Sequence, residues 1–310
     1  MANLGYVQVT RACNQQCRFC SNPPIERAQT LETVARQIRD LKKRGYHGVI
    51  LTGGEPTLAP FLEAAIEKAW QIGIEPRIIT NGQLLADRKR VRALKRAGLR
   101  QLHISVHSCR HEVQAYLSQN PDSLENIRAC LENVASVGLN ADVNTVICAQ
   151  NADHLDRTVD WFLTTYPFVH HFVFNNIDPQ MNRCAENPQV IARLADFELS
   201  LQRALAKLTA KGCTFRVERV PLCYMLEHAA FSTETRKIVK NEERVVHFLD
   251  AHKGTVRQTE WTHGKAECCT QCTLNEICAG LYGMNKGFDP AELYPVFVEP
   301  KKIIGQILQP

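Results

Sequence analysis

Three cysteines stand within eight residues in 13-CNQQCRFC-20. Cysteine thiolates are soft ligands, and three at this spacing can hold an iron–sulfur cluster while leaving its fourth iron free to bind something else. A zinc knuckle with a distant fourth ligand also fits the bare spacing. A second set lies near the other end, where Cys269, Cys272 and Cys278 form Cx2Cx5C, with Cys268 adjacent and Cys213 and Cys223 upstream. Four thiolates can assemble there. The chain holds 13 cysteines and opens without an export signal, so reduced thiols serving metal or sulfur chemistry explain them better than a disulfide framework.

These loops need a scaffold. From the start to about residue 176, short β-branched runs alternate with runs of helical period, as in repeated βα units. The pattern predicts strands over 6–10, 47–52, 77–80, 101–106, 141–147 and 171–175. It predicts helices over 31–41, 61–70, 85–97, 124–137 and 155–162, with Gly45, Gly98 and Gly138 as stops. A longer helical pattern runs from 188 to about 208, Gly212 breaks it, and a strand-like stretch follows over 214–220. The expected division is 1–212 for a parallel βα unit and 213–310 for a small, metal-organised region. Periodicity alone does not choose between a barrel and an open sheet.

The loops that follow the strands carry the polar groups. Cys13, Cys17 and Cys20 follow the first strand, and 52-TGGEP-56 ends the second, where two glycines admit close backbone approach and Glu55 offers a carboxylate to an ammonium group. The third ends in 80-TNG-82, the fourth in 105-SVHSC-109, and Asn144 lies in the fifth. In parallel α/β folds, ligand sites gather at that end of the sheet.

Composition narrows the class. Hydrophobic residues are 45% and charged residues 22%, which excludes a disordered chain or a coiled coil. No apolar run reaches the roughly 18 residues of a membrane helix, so the expected location is the cytoplasm, with no membrane partner. A net charge of +5 is too mild for a dedicated nucleic-acid binder. The basic groups 42-KKR-44, 88-RKR-90 and 95-KR-96 read as solvated helix faces.

CxxxCxxC with an aromatic residue before its last cysteine, paired with GGEP after the second strand, resembles the radical S-adenosylmethionine (radical SAM) enzymes. The resemblance implies an α/β fold, a partial (β/α)6 TIM-like barrel, with Cys13, Cys17 and Cys20 holding a 4Fe-4S cluster whose open iron chelates S-adenosylmethionine. It places Gly53, Gly54 and Glu55 at the amino group of that cofactor and Phe19 by the adenine. Ser105 and Asn144 are implied as ribose or carboxylate contacts, and Pro56 and Asn81 complete the cofactor-binding set. Reductive cleavage would then give a 5′-deoxyadenosyl radical that abstracts hydrogen from a substrate. Cys109, Cys148 and Cys184 follow later strands and could donate hydrogen to a substrate radical; Cys109 is kept as the catalytic candidate, although small cysteines are common packing residues. Cys130, with Ile127 and Val134, reads as core. His103 and His107 read as packing or solvated residues before catalytic bases.

The C-terminal cysteines resemble the SPASM and twitch regions of one branch of that family. No cysteine follows Cys278, so the reading is a twitch-like domain with one auxiliary 4Fe-4S cluster on Cys223, Cys269, Cys272 and Cys278, with Cys213 or Cys268 as a replacement for Cys223, or zinc in place of iron. The implied function is a radical SAM oxidoreductase or maturase of a peptide or protein, forming a thioether or carbon–carbon link or oxidising a side chain. The alternative is small-molecule chemistry in cofactor or antibiotic biosynthesis, and a non-enzymatic metal-binding protein is the reading from another class. A flavodoxin or ferredoxin would be the reductant. The first strand begins close to Met1, so a separate protein is expected to supply peptide recognition.

Overall fold

A computed structural model describes residues 4–22, 27–180, 182–249 and 254–309. Seven strands lie parallel in sequence order: β1 (Leu4–Thr10), β2 (Gly48–Gly53), β3 (Glu75–Thr80), β4 (Gln101–Ser105), β5 (Asn140–Ile147), β6 (His171–Asn176) and β7 (Thr214–Glu218). The connections carry α1 (Leu31–Lys43), α2 (Leu62–Gln71), α3 (Arg88–Arg96), α4 (His111–Ser118), α5 (Ser123–Val137), α6 (Leu155–Thr165), α7 (Asn182–Glu186) and α8 (Leu194–Ala210). This α/β arrangement is a partial TIM-type barrel. In α1, the Thr30 hydroxyl accepts from the Thr33 N–H, and Val34, Ile38 and Leu41 are buried at helical spacing. Among the described residues no helix is long and apolar enough to cross a membrane.

The structure departs from the sequence pattern in three places. The expected helix over 85–97 is a 3-10 turn, Gln83–Ala86, followed by α3, because the Asp87 carboxylate accepts from the Lys89 N–H and restarts the helix. The pattern from 188 begins as a 3-10 turn, Pro188–Val190, before α8. The sheet also continues past the expected boundary at 213. β7 joins β6, while β8 (Arg244–His247) pairs parallel with β1 at the other edge and β9 (Thr255–Gln258) pairs antiparallel with β8. The 3-10 turns Leu222–Tyr224 and Leu226–Phe231 and the short α9 (Thr233–Lys240) follow β7, so helical periodicity fades there while strand pairing persists. The cysteine-rich segment comes after β9 and ends in α10 (Pro300–Leu308).

The pleat of β4 sends Leu102 and Ile104 into the apolar core and Gln101, His103 and Ser105 to the opposite face. That face, the lumen, is polar. Glu218 of β7 accepts from Arg244 of β8 at 3.1 Å, an ion pair that joins strands lying seven positions apart in the sheet order. Asp142 accepts from Gln101 Nε2 at 2.6 Å and lies 3.2 Å from His103 Nδ1. Burial, helped by Arg77 and His171, pushes His103 down to about 3, so it is a neutral donor to Asp142 at physiological pH. His171 is pushed down to about 4 by burial and by Arg216 and Arg77. Asp142 is pushed up to about 6, mainly by burial.

Between about pH 6.5 and 4 the unfolded chain binds protons at His103 and His171 that the folded chain refuses, so stability is lost as pH falls through that window. Asp142 acts in the opposite sense, gaining its proton in the folded state first, and the two histidines together exceed it. The urea midpoint is expected to drop between about pH 7 and about pH 5, and to drop less in His103→Gln. A midpoint as steep in the variant as in the unaltered chain would remove His103 from the account.

Candidate active site

The cysteine loop leaves β1 at Thr10 and is held from two sides. On one side, the backbone after β2 docks directly on it: Gly54 N–H donates to Thr10 O at 2.7 Å and Glu55 N–H to Ala12 O at 2.8 Å. A Cβ on Gly53 would sit 2.1 Å from Thr10 O, and one on Gly54 2.2 Å from Ala12 O. Only glycine permits this approach, and Gly53 also takes a φ of +137°. On the other side, the N–H groups of Gln16 and Arg18 donate to Ser118 and Leu117 carbonyls of α4, and Gln15 Nε2 donates to Ser123 Oγ of α5.

Glu55 has a different place from the one expected of an ammonium partner. Its side chain is 1% exposed and all its contacts are internal. Oε1 accepts from the Thr57 N–H (3.1 Å) and from the Thr57 and Thr80 hydroxyls (2.6 and 2.7 Å), and Oε2 accepts from the Asn81 N–H at 2.7 Å. Burial pushes the carboxyl pKa up, and these donors draw it back down. The carboxylate therefore ties the loop after β2, which runs into the 3-10 turn Pro56–Leu58, to the loop after β3. Asn81 Nδ2 then reaches Asn14 Oδ1 at 2.7 Å and Cys13 Sγ at 3.8 Å.

Cys13 is exposed, and Cys17 and Cys20 are partly covered. Burial pushes the Cys17 thiol far up, Cys20 and Cys13 push it further, and Arg183 pulls it back. Arg183, on α7 just after β6, was not singled out in the sequence; its position at a strand end was the available signal. Phe19 meets His107 edge-on at 4.5 Å, and His107 Nδ1 accepts from the Val146 N–H at 3.2 Å. Ser105 pairs with Asn144 across β4 and β5, and Asn144 Oδ1 accepts from Asn175 Nδ2 at 2.6 Å. Ser108 Oγ lies 2.7 Å from His154 Nε2, whose Nδ1 meets Asp153 at 2.5 Å. Ser108 has no exposed surface, so this relay braces the loop and offers no nucleophile. Cys109 beside it is partly exposed, whereas Cys130, Cys148 and Cys184 are buried.

The second cysteine set shares one cavity. Cys223, Cys269, Cys272 and Cys278 line one cavity with Leu274, Tyr294 and Val296. Cys213 sits on the turn before β7 and Cys268 Sγ points to Leu293 O at 3.4 Å; neither lines that cavity. Burial pushes Cys223 up to about 12. Tyr282 OH donates to Asp178 at 2.8 Å, and Arg219 lies 4.9 Å over the Tyr282 ring, so this region packs on the ends of β6 and β7.

Residues 7–162 match the family described as the radical SAM superfamily. The chain belongs to the radical SAM superfamily. Among curated proteins it is similar to the GTP 3',8-cyclase of Aquifex aeolicus, 32% identical over 150 residues that make up 46% of each chain. It is also similar to the GTP 3',8-cyclase of Helicobacter pylori strain 26695, 33% identical over 149 residues, again 46% of each chain. The chain spans about half the length of the curated relatives it matches. Two solved structures have the same fold. SuiB of Streptococcus suis bound to S-adenosylmethionine is 17% identical, with a TM-score of 0.66 over 96% of this chain and 76% of that one. The structure described as native anSMEcpe with bound AdoMet and Kp18Cys peptide is 13% identical, with a TM-score of 0.67 over 98% and 95%.

Membership of the radical SAM family implies S-adenosylmethionine and a 4Fe-4S cluster, and the donor set fits. Cys13, Cys17 and Cys20 are free thiols, close enough that Cys20 helps push up the Cys13 thiol and both help push up Cys17, and a buried thiol surrenders its proton to a metal more readily than to water. Gly54→Ala must push the cysteine loop off its carbonyl contacts. It is expected to lose about four irons per chain while its circular dichroism stays unchanged. Full iron content in that variant would show that the docking does not position the cluster loop.

Proposed function

We propose that this radical SAM enzyme acts on an anionic small molecule of nucleotide size, seated between the barrel mouth and the C-terminal cysteine region. The similarity to GTP 3',8-cyclases carries the proposal, and it favours small-molecule chemistry over the peptide maturation expected first from the sequence. The charge at the mouth agrees. Arg219 holds a left-handed φ of +61°, costly for a side chain of its size, while its N–H donates to Glu234 and its guanidinium stacks on Tyr282. His263 meets the same ring at 4.8 Å. The Arg219 guanidinium, a cation fixed at a strand end, suits a phosphate or carboxylate group, while burial and Arg219 push the His263 pKa down and keep that ring neutral.

In this reading Cys13, Cys17 and Cys20 hold the S-adenosylmethionine cluster. The backbone of Gly53 and Gly54, with Pro56, Asn81, Ser105 and Asn144, lines the cofactor, and Phe19 covers the adenine with His107 behind it. When bound, cluster and cofactor supply a 5′-deoxyadenosyl radical that takes hydrogen from a substrate carbon. Glu55 fixes the loops around it. Cys109 remains the thiol to test as a hydrogen donor, being the one of the later-strand cysteines with exposed surface. Residues 213–310 are proposed as a twitch-like region whose auxiliary 4Fe-4S cluster sits on Cys223, Cys269, Cys272 and Cys278. These four thiols line one cavity, which supports that ligand set over one that includes Cys213 or Cys268.

The second reading is peptide modification; in its favour, the anSMEcpe match spans nearly the whole chain and that protein carries a peptide. Anaerobically reconstituted protein with S-adenosylmethionine and a reductant is expected to release more 5′-deoxyadenosine with one nucleoside triphosphate than with any peptide. Stimulation by a cysteine-containing peptide alone would reverse the order of the two readings. The unaltered chain should hold about eight irons, and a variant with Cys13, Cys17 and Cys20 changed to Ala about four. Zinc in their place would end the auxiliary-cluster proposal.

A further inference from the structure

Charge is distributed unevenly along this chain. Residues 31–100 carry 14 Lys and Arg against seven Asp and Glu, a surplus larger than that of all 310 residues together. The surplus is concentrated in α3, RKRVRALKR, where Arg88, Lys89, Arg90, Arg92, Lys95 and Arg96 are all exposed and no acid is present. Among the described residues, none of the six forms an ion pair; Arg90 donates to Thr57 O and Lys95 to Val137 O.

Local physics opposes this arrangement. Arg88, Lys89 and Arg90 occupy the first turn, at the positive end of the helix dipole, where cations are disfavoured. Arg88 and Arg92, and Arg92 and Arg96, are like charges at i,i+4, each pair destabilising. A solvated face would be as soluble with mixed charge. Self-repulsion confined to one helix is expected where a surface answers to a partner of opposite sign.

The helix also starts beside the cluster loop. Asn81, whose amide lies 3.8 Å from Cys13 Sγ, is seven residues before Arg88, and Arg90 reaches the carbonyl of Thr57, which binds Glu55. Between α2 and α3 opens a groove of about 320 Å³, with Leu58, Ala59, Pro60, Leu84 and Leu94 as apolar lining and Arg90 at its edge. Leu58 is 37% exposed. A helix face of cations without acidic partners, beside a groove that exposes Leu58, suits a folded acidic protein. A nucleic-acid backbone suits it less: Glu63 lines the groove, Asp87 caps the helix, and α3 has no aromatic side chain for bases to stack on.

We infer that the α3 face and the adjoining groove dock an acidic electron-transfer protein of the flavodoxin or ferredoxin class, which delivers the electron for the cluster on Cys13, Cys17 and Cys20. The donor loses one electron and the cluster gains it; no atom or proton moves between them. The surface is an assignment independent of the substrate reading, and it rests on the family's cluster alone.

The test compares the reconstituted protein with a variant carrying Arg88→Gln, Lys89→Gln, Arg92→Gln and Arg96→Gln, none of which touches the cluster loop. Cluster reduction is followed by absorbance, with reduced flavodoxin or with photoreduced deazaflavin, a small uncharged reductant. The variant is expected to fold at least as stably, to be reduced normally by deazaflavin, and to be reduced about tenfold or more slowly by flavodoxin at low salt. Its dependence on ionic strength should also flatten. Equal flavodoxin rates and equal salt dependence in the two proteins would overturn the assignment. So would tight binding of an RNA or DNA duplex that the variant loses while its flavodoxin rate is unchanged.

Discussion

The site depends on one buried carboxylate. Glu55 accepts four hydrogen bonds from Thr57, Thr80 and Asn81, and so locks the loops after β2 and β3 to each other. Its own N–H and that of Gly54 lock the same backbone to the loop after β1. Three loops, from three strands, thus become one rigid rim. A buried carboxylate with fewer donors would be costly; this one is satisfied by groups that must themselves be placed by strand ends. The barrel positions the rim, and the rim positions the cysteines.

Much of the barrel could be read in the sequence because its strands are buried β-branched runs with helices of clear apolar stripe between them. α4 could not. HEVQAYLS buries Gln114 and Ser118 beside Leu117, so its inner face has no apolar periodicity to read. Yet Gln114 Oε1 accepts from the N–H groups of His107 and Ser108, and the end of α4 holds the cysteine loop. Its hydrogen bonding runs to loops, the nearby one at His107 and Ser108 and the distant cysteine loop, and leaves no periodic trace in the sequence. The strand-like stretch that becomes β7 was legible, but its pairing with β6 and the existence of β8 were not: strand pairing is long-range, and the helical punctuation that announces βα units stops before them.

The site residues divide along similar lines. Cysteine and glycine announce themselves by spacing and by conformational necessity, so the triplet and GGEP stand out. The gathering of Cys223 with Cys269, Cys272 and Cys278, excluding Cys213 and Cys268, is a matter of which thiols face one cavity. The carboxylate of Glu55 looks available in a glycine turn until the hydroxyls of Thr57 and Thr80 are seen to surround it. Arg183 and Arg219 are single basic residues with no motif around them, and only their places at strand ends mark them.

The pairing of β1 with β8 has a consequence for how the molecule comes into being. Tyr6 and Val7 of the strand that launches the cysteine loop lie beside Val246 and His247. On the ribosome, β2 through β7 can assemble in order as each βα unit emerges, but β1 stays an open edge until some 240 residues more have been made. The strand that launches the cysteine loop is therefore among the last to gain its full complement of neighbours. The loop itself can by then be held from both sides, by the backbone after β2 and by α4 and α5, so what waits for β8 is the free edge of the strand beneath it.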